Sequence, residues 1–89
     1  MSRWRKLLER FLFRPETIDI AEIRLLLKRL GYQEKTGRGS HCIFRKDGSY
    51  PVCVPTVSGR HVKKEYVKRL SVILNLEEKY ERAKGEEDD

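Results

Sequence analysis

Apolar side chains recur at intervals of three and four residues in three stretches of the chain, and this spacing predicts three helices. The first is predicted over residues 3–13, RWRKLLERFLF, and Pro15 ends it. Its apolar stripe suits either a helix packed on the body or one that binds a partner. The last is predicted over roughly residues 62–74, with lysines and arginines opposite its apolar stripe.

The second helix carries the clearest start and stop signals. Asp19 and Glu22 have the spacing of a capping box, in which each side chain accepts a hydrogen bond from backbone at the other end of the first turn. Gly31 stands where helices commonly end in the left-handed conformation. The stripe expected to enter the core consists of Ile20, Ile23, Leu26, Leu27 and Leu30.

Between these helices the pattern changes to that of strands. A short strand is predicted within residues 32–36, and residues 41–45 and 50–54 are predicted to form a hairpin. Pro51 cannot donate a ladder hydrogen bond, so the third strand is expected at an edge or with local irregularity, and Pro55 ends it. A helix, three antiparallel strands and a helix, preceded by an extra helix, define an α+β sandwich.

The turn between the hairpin strands makes a prediction about the two cysteines. If Asp47 and Gly48 form a two-residue type I′ turn, Cys42 faces Cys53 directly across the hairpin. We expect two reduced thiols there, serving as small apolar residues. Together with the two histidines they do not have the spacing of a zinc site, so no metal is expected.

Charge is distributed unevenly along the chain. Up to Leu76 there are 17 Lys and Arg against 7 Asp and Glu, whereas residues 77–89 have 3 against 7. A basic body indicates an anionic partner, most commonly nucleic acid, although a merely soluble lysine-rich surface has the same composition. The acidic residues 77–89 predict a disordered tail. No apolar run approaches the roughly 18 residues of a membrane span, so a cytoplasmic protein is expected.

His41, one of two histidines, is the candidate for chemistry. Imidazole can give and take protons near pH 7, which is the main requirement for cleaving RNA beside a 2′-hydroxyl. Lys35 and Arg38 could meet the phosphate, Gly39 could let backbone amides approach it, and Ser40 could orient substrate or imidazole. A histidine at the start of a strand is also commonly a structural or surface group, and the residues alone leave both interpretations open.

The chain resembles the HicA toxin family of bacterial and archaeal toxin–antitoxin pairs over about residues 20–76. The resemblance is carried by LLKRLGY, by GRGSHCIFRKDGS, by the strand YPVCVP that ends in proline, and by the closing helix HVKKEYVKRLSVILNL. It divides the chain into an N-terminal amphipathic helix (1–16), a HicA-like domain (17–76) and an acidic tail (77–89).

This resemblance implies a fold like that of a double-stranded-RNA-binding domain, and a ribonuclease that cleaves mRNA and stops translation. It implies that His41, the histidine of the Gly-Ser-His motif, is catalytic, and that a HicB-like antitoxin covers the active site. Lys35, Arg38, Lys63 and Lys64 are then candidate phosphate contacts, and no metal or other cofactor is expected. The alternatives are a non-catalytic RNA-binding module of the same fold, or an adaptor whose basic face meets an acidic protein.

Overall fold

The computed structural model describes residues 3–35 and 41–86. These residues form two compact units, one made of Asp19–Val62 and the other of the segments that precede and follow it. Pro15–Thr17 form one turn of 3-10 helix. The helices and strands are α1 (Arg3–Phe13), α2 (Ile20–Arg29), β1 (Gln33–Lys35), β2 (His41–Arg45), β3 (Val52–Pro55), α3 (Lys64–Ile73) and α4 (Leu76–Glu86).

Helix α2 opens with the capping box that the sequence predicts. The Asp19 carboxylate accepts a hydrogen bond from the Ala21 N–H at 2.9 Å, and the Glu22 carboxylate accepts one from the Asp19 N–H at 3.0 Å. The helix is capped at its other end by Leu30, after which Gly31 has a φ of 94°. Both predicted boundaries of α2 are therefore confirmed.

The three strands form one antiparallel sheet in the order β1-β2-β3. The order α-β-β-β-α from α2 to α3 is that of a double-stranded-RNA-binding domain, with α1 added before it, as predicted. β3 is an edge strand, as Pro51 indicates, but it begins at Val52 and includes Pro55. The nitrogen of Pro55 has no hydrogen to donate. An edge strand tolerates this because it has a neighbouring strand on one side only.

The turn between β2 and β3 differs from the predicted type I′ turn. The Lys46 carbonyl accepts a hydrogen bond from the Ser49 N–H at 3.1 Å, and Gly48 has a φ of 81° while Asp47 does not have a positive φ. A positive φ at the third position alone is the pattern of a type II turn. The strands also pair one residue out of the predicted register, with His41 opposite Pro55 and Phe44 opposite Val52.

This shift separates the two cysteines. Cys42 lies opposite Val54, and Cys53 lies opposite Ile43. Because side chains alternate between the two faces of a strand, a change of register by one residue places the two thiols on opposite faces. The prediction that Cys42 faces Cys53 is therefore wrong.

The two faces of the sheet differ sharply in burial. Phe44, Val52 and Val54 share one face and have exposed fractions of 2%, 7% and 0%. Helix α2 contacts β1 on this side, where the Arg24 guanidinium meets the Glu34 carboxylate at 2.8 Å. This face holds the core of the unit, and the side chains of the alternate positions are left on the other face.

The other compact unit contains α1, α3 and α4, and α1 contacts both of the others. The Tyr80 hydroxyl donates a hydrogen bond to the Glu9 carboxylate at 3.0 Å, and the rings of Phe13 and Tyr80 meet edge to face with centroids 5.5 Å apart. Helix α1 is thus packed against α4, which resolves the choice that its sequence left open in favour of packing.

Two expectations about the C-terminal part of the chain change. The predicted helix 62–74 is shorter, since α3 begins after Lys63 and ends at Ile73. The expectation of disorder is wrong for residues 77–86, which lie in α4. Leu76 and Ala83 are buried and Tyr80 is half-buried, so apolar positions at intervals of four and three give α4 one face to pack, despite its many charges. Residues 87–89 lie outside the described part.

Replacing Leu8 tests whether α1 is an integral part of the structure. The Leu8 side chain is fully buried, so Leu8→Ala should lower the free energy of unfolding by about 2–5 kcal/mol. Lys6→Ala, at an exposed position of the same helix, should change it by no more than about 0.5 kcal/mol. Urea denaturation measures both, and equal values for the two variants would show that α1 is not packed in solution.

The capping carboxylate should make stability depend on pH. The Ala21 N–H, and then the positive charge of Arg60, lower the pKa of Asp19 below its ordinary value of 3.8. A lowered folded-state pKa gives stabilisation that is present above the unfolded-state pKa and is lost as pH falls through the folded-state value. Asp19→Asn keeps an acceptor for the cap but does not titrate, so its stability should fall less steeply with acid.

The measurement is the urea midpoint of both proteins between about pH 2 and pH 6. Asp47→Asn, which changes an exposed aspartate in the turn, is the control and should follow the wild type. Parallel curves for wild type and Asp19→Asn would contradict the prediction.

Candidate functional site

The face of the sheet that α2 does not cover carries a set of exposed and half-buried side chains, which we call the open face. Its members follow from the pairing of the strands, because directly opposite residues point to the same side. They are Gln33 and Lys35 of β1, His41, Ile43 and Arg45 of β2, and Cys53 and Pro55 of β3.

His41 is the first residue of β2 and its side chain is exposed on the open face. It lies directly opposite Pro55, whose backbone pairing holds the start of the strand in place. Within residues 3–35 and 41–86, no hydrogen bond or ion pair engages the imidazole ring. No described residue therefore prevents either ring nitrogen of His41 from binding a ligand on this face.

Positive charge lies beside this imidazole. Lys35 is opposite Ile43, which makes it a diagonal neighbour of both His41 and Arg45, at about 7–8 Å between α-carbons. None of the seven side chains of the open face is a carboxylate. The nearest acidic residue in β1, Glu34, points to the other face, where it pairs with Arg24. The open face is therefore positively charged and suited to an anion.

The structure brings together two of the candidate site residues, Lys35 and His41. Arg38, Gly39 and Ser40 lie outside the described residues. Lys63 and Lys64 are exposed at the start of α3, where Lys63 is the N-cap, and they belong to the other compact unit.

Arg45 is a member of the open face that the sequence interpretation missed. Its signal is the period of two along β2, which places residues 41, 43 and 45 on one side. Arg45 is opposite Gln33. It lies two residues beyond Ile43, which is the residue of β2 opposite Lys35.

The second histidine has different surroundings. The His61 N–H donates to the Val57 carbonyl at 3.1 Å, and its carbonyl accepts from the Val57 N–H at 2.7 Å. A second isolated bridge pairs His61 with Asp19. His61 therefore lies in a backbone link beside the start of α2, and it is not part of the open face.

The cysteines are not arranged for redox or metal chemistry in the described residues. Cys42 and Cys53 are not joined in a disulfide and lie on opposite faces. Burial, and then the charge of Glu34, raise the pKa of the Cys42 thiol above its ordinary value of 9.0. Across residues 3–35 and 41–86, no cluster of three or more histidine, cysteine, aspartate or glutamate side chains could hold a metal ion.

These features define a small α+β protein, with a fold like that of a double-stranded-RNA-binding domain and a histidine on a basic sheet face. A comparison with family models gives a match over residues 20–76 to the HicA toxin of bacterial toxin–antitoxin systems. This match covers well over half of the chain, and the chain belongs to that family. Searches of curated proteins and of solved structures each found no significant match.

Family membership makes this chain a toxin of a toxin–antitoxin pair, with an antitoxin as its partner. The matched region contains α2, the whole sheet and α3, whereas α1 precedes it and α4 begins at its last residue. None of the helices in the described part of the chain is both long and apolar enough to cross a membrane.

The separation of the cysteines predicts their reactivity. Cys53 is exposed and should react first with iodoacetamide, whereas the raised pKa of Cys42 lowers its thiolate fraction and slows its reaction. Cys53→Ser should remove the fast phase, which mass spectrometry can follow. A mild oxidant that joined the two thiols within one chain would contradict the observed register.

Proposed function

We propose that this toxin is an endoribonuclease that cleaves mRNA, and that His41 is its catalytic residue. The observation that carries the proposal is the placement of an exposed imidazole on a sheet face that has two cations and no carboxylate. Membership of the HicA toxin family supports it, since the family's resemblance implies the same chemistry for the histidine of the Gly-Ser-His motif.

The proposed reaction uses a proton transfer and positive charge. A base removes the proton of a ribose 2′-hydroxyl, the 2′-oxygen attacks the adjacent phosphorus, and the bond to the 5′-oxygen breaks as that oxygen takes up a proton. His41 supplies one of these two transfers, and water or a lysine supplies the other. Lys35, its diagonal neighbour, offsets the negative charge that builds up on the phosphate oxygens.

The remaining candidate residues complete the proposal. Gly39 and Ser40, which directly precede the catalytic histidine in the sequence, are proposed to bind the substrate, and Arg38 is proposed to contact phosphate. Lys63 and Lys64 are further phosphate contacts, supported by their exposure and charge. The proposed mechanism needs no metal ion and no other cofactor, because imidazole and lysine cover both the proton transfer and the charge.

The partner is proposed to be a HicB-like antitoxin, and the site of action the cytoplasm, where mRNA is translated. A basic open face offers such a partner a surface that acidic side chains would complement. An antitoxin seated there would exclude RNA by occupying the same cations, which gives inhibition without any change in the toxin's fold.

Replacing the imidazole tests the proposed chemistry. His41→Ala should slow RNA cleavage by about two to four orders of magnitude, because a positioned acid or base contributes that much, while RNA affinity changes little. His61→Ala is the matched control, since it removes the other histidine from outside the open face. Cleavage of a labelled RNA under single-turnover conditions, with binding measured separately, gives both quantities.

Two results would contradict the proposal. Equal cleavage by wild type and His41→Ala would exclude His41 as the catalytic residue. RNA binding without any cleavage by the wild type would instead favour a non-catalytic RNA-binding module of the same fold.

A further inference from the structure

We propose that the open face binds a single strand of RNA along β2, with Arg45 as a phosphate contact at the end of the strand away from His41. This inference rests on the proposed function, from which it takes RNA as the ligand of the open face. It adds that the bound RNA is single-stranded and that Arg45 contacts it. It starts from the alternation of side chains across the sheet, which places Arg45 on the same side as His41.

The first argument is the position of the charges. Lys35 is a diagonal neighbour of both His41 and Arg45, so the two cations and the imidazole follow the direction of β2. The sequence of groups along the strand is imidazole, then ammonium, then guanidinium. A chain of phosphates that lies along β2 from His41 meets the Lys35 ammonium beside the middle of the strand and the Arg45 guanidinium at its end.

The second argument is that these cations are available to a ligand. Lys35 and Arg45 are both exposed, and neither forms an ion pair within the part of the chain that the structure describes. Arg24, in contrast, is held against Glu34 on the covered face at 2.8 Å. The sheet therefore presents its unpaired positive charge on one side only.

The third argument is size. Three strands span about 10 Å across the sheet, and the five residues of β2 extend about 17 Å. A double-stranded-RNA-binding surface, by comparison, covers about 16 base pairs and reaches two successive minor grooves. The open face has room for one strand, and a duplex would meet it over only a small part of its length.

The fourth argument concerns how the strand is held. Apart from the imidazole of His41, which the proposed chemistry uses, none of the seven side chains of the open face is an aromatic ring on which bases could stack. Tyr50 is 92% exposed but lies in the connection before β3. Binding on this face should therefore depend chiefly on phosphate contacts, and it should fall steeply with salt.

The test measures binding apart from cleavage. In the non-cleaving His41→Ala background, Arg45→Gln should reduce the slope of log affinity against log salt concentration by about one, because one phosphate contact is lost. Lys28→Gln is the matched control, since it removes one exposed charge from α2 on the other side of the sheet. Affinity for a labelled single-stranded oligoribonucleotide is measured between about 50 and 200 mM salt, and circular dichroism checks that each variant is folded.

Two further measurements complete the test. The same oligoribonucleotide annealed to its complement should bind more weakly than the single strand. In the chain that retains His41, Arg45→Gln should raise KM for RNA cleavage by about tenfold, the equivalent of one charge-assisted hydrogen bond.

The outcomes separate this inference from the proposed function. If the wild type cleaves RNA but Arg45→Gln matches Lys28→Gln in slope and KM, the role of Arg45 is overturned and the ribonuclease stands. If a duplex binds as tightly as the single strand, the single-strand assignment is overturned. If the wild type never cleaves RNA but Arg45→Gln still lowers the salt slope, the open face binds RNA and the ribonuclease assignment fails.

Discussion

The pairing of β2 with its two neighbours is the constraint on which the rest of the sheet unit depends. Side chains on a strand alternate between faces, so the register alone decides which residues enter the core and which remain outside. With His41 opposite Pro55, the apolar residues Phe44, Val52 and Val54 are buried and the polar alternates are exposed. A shift by one residue would bury His41 and Arg45 and expose the core, so the hydrophobic free energy of the unit also fixes the site.

The sheet thereby separates stability from chemistry. The covered face has apolar contacts with α2 and one ion pair, in which Glu34 neutralises Arg24. On the open face, nothing acidic neutralises Lys35 or Arg45 among the described residues. Uncompensated like charges on one side disfavour the isolated toxin slightly, and they make an anionic ligand or an acidic partner more favourable there. In this small unit the covered face therefore contributes the apolar contacts that stabilise the fold, and the open face contributes the positive charge that favours an anionic ligand.

The sequence predicts most of the elements but not their exact pairing. The capping box at Asp19, the edge position of β3 and the glycine that ends α2 each have a local cause, and each is confirmed. The register depends on how many residues connect the paired parts of β2 and β3, and an Asp-Gly pair permits several turn types and connection lengths. Helix α4 was missed because its composition is dominated by charge, while its packing face has only a few apolar residues. The neighbours of Arg45 depend on the strand register, so its position beside Lys35 could not be predicted from the sequence alone.

The packing of α1 against α4 has a consequence for how the chain folds. Glu9 and Tyr80, which are joined by a hydrogen bond, are separated by 71 positions. During synthesis, α1 is made first and must remain without this partner until the far end of the chain has been added. The sheet unit between them has no such requirement, since its elements are contiguous. The ribosome thus completes β2, which bears His41, before it makes α4. The open face can therefore form while α1 is not yet packed against α4.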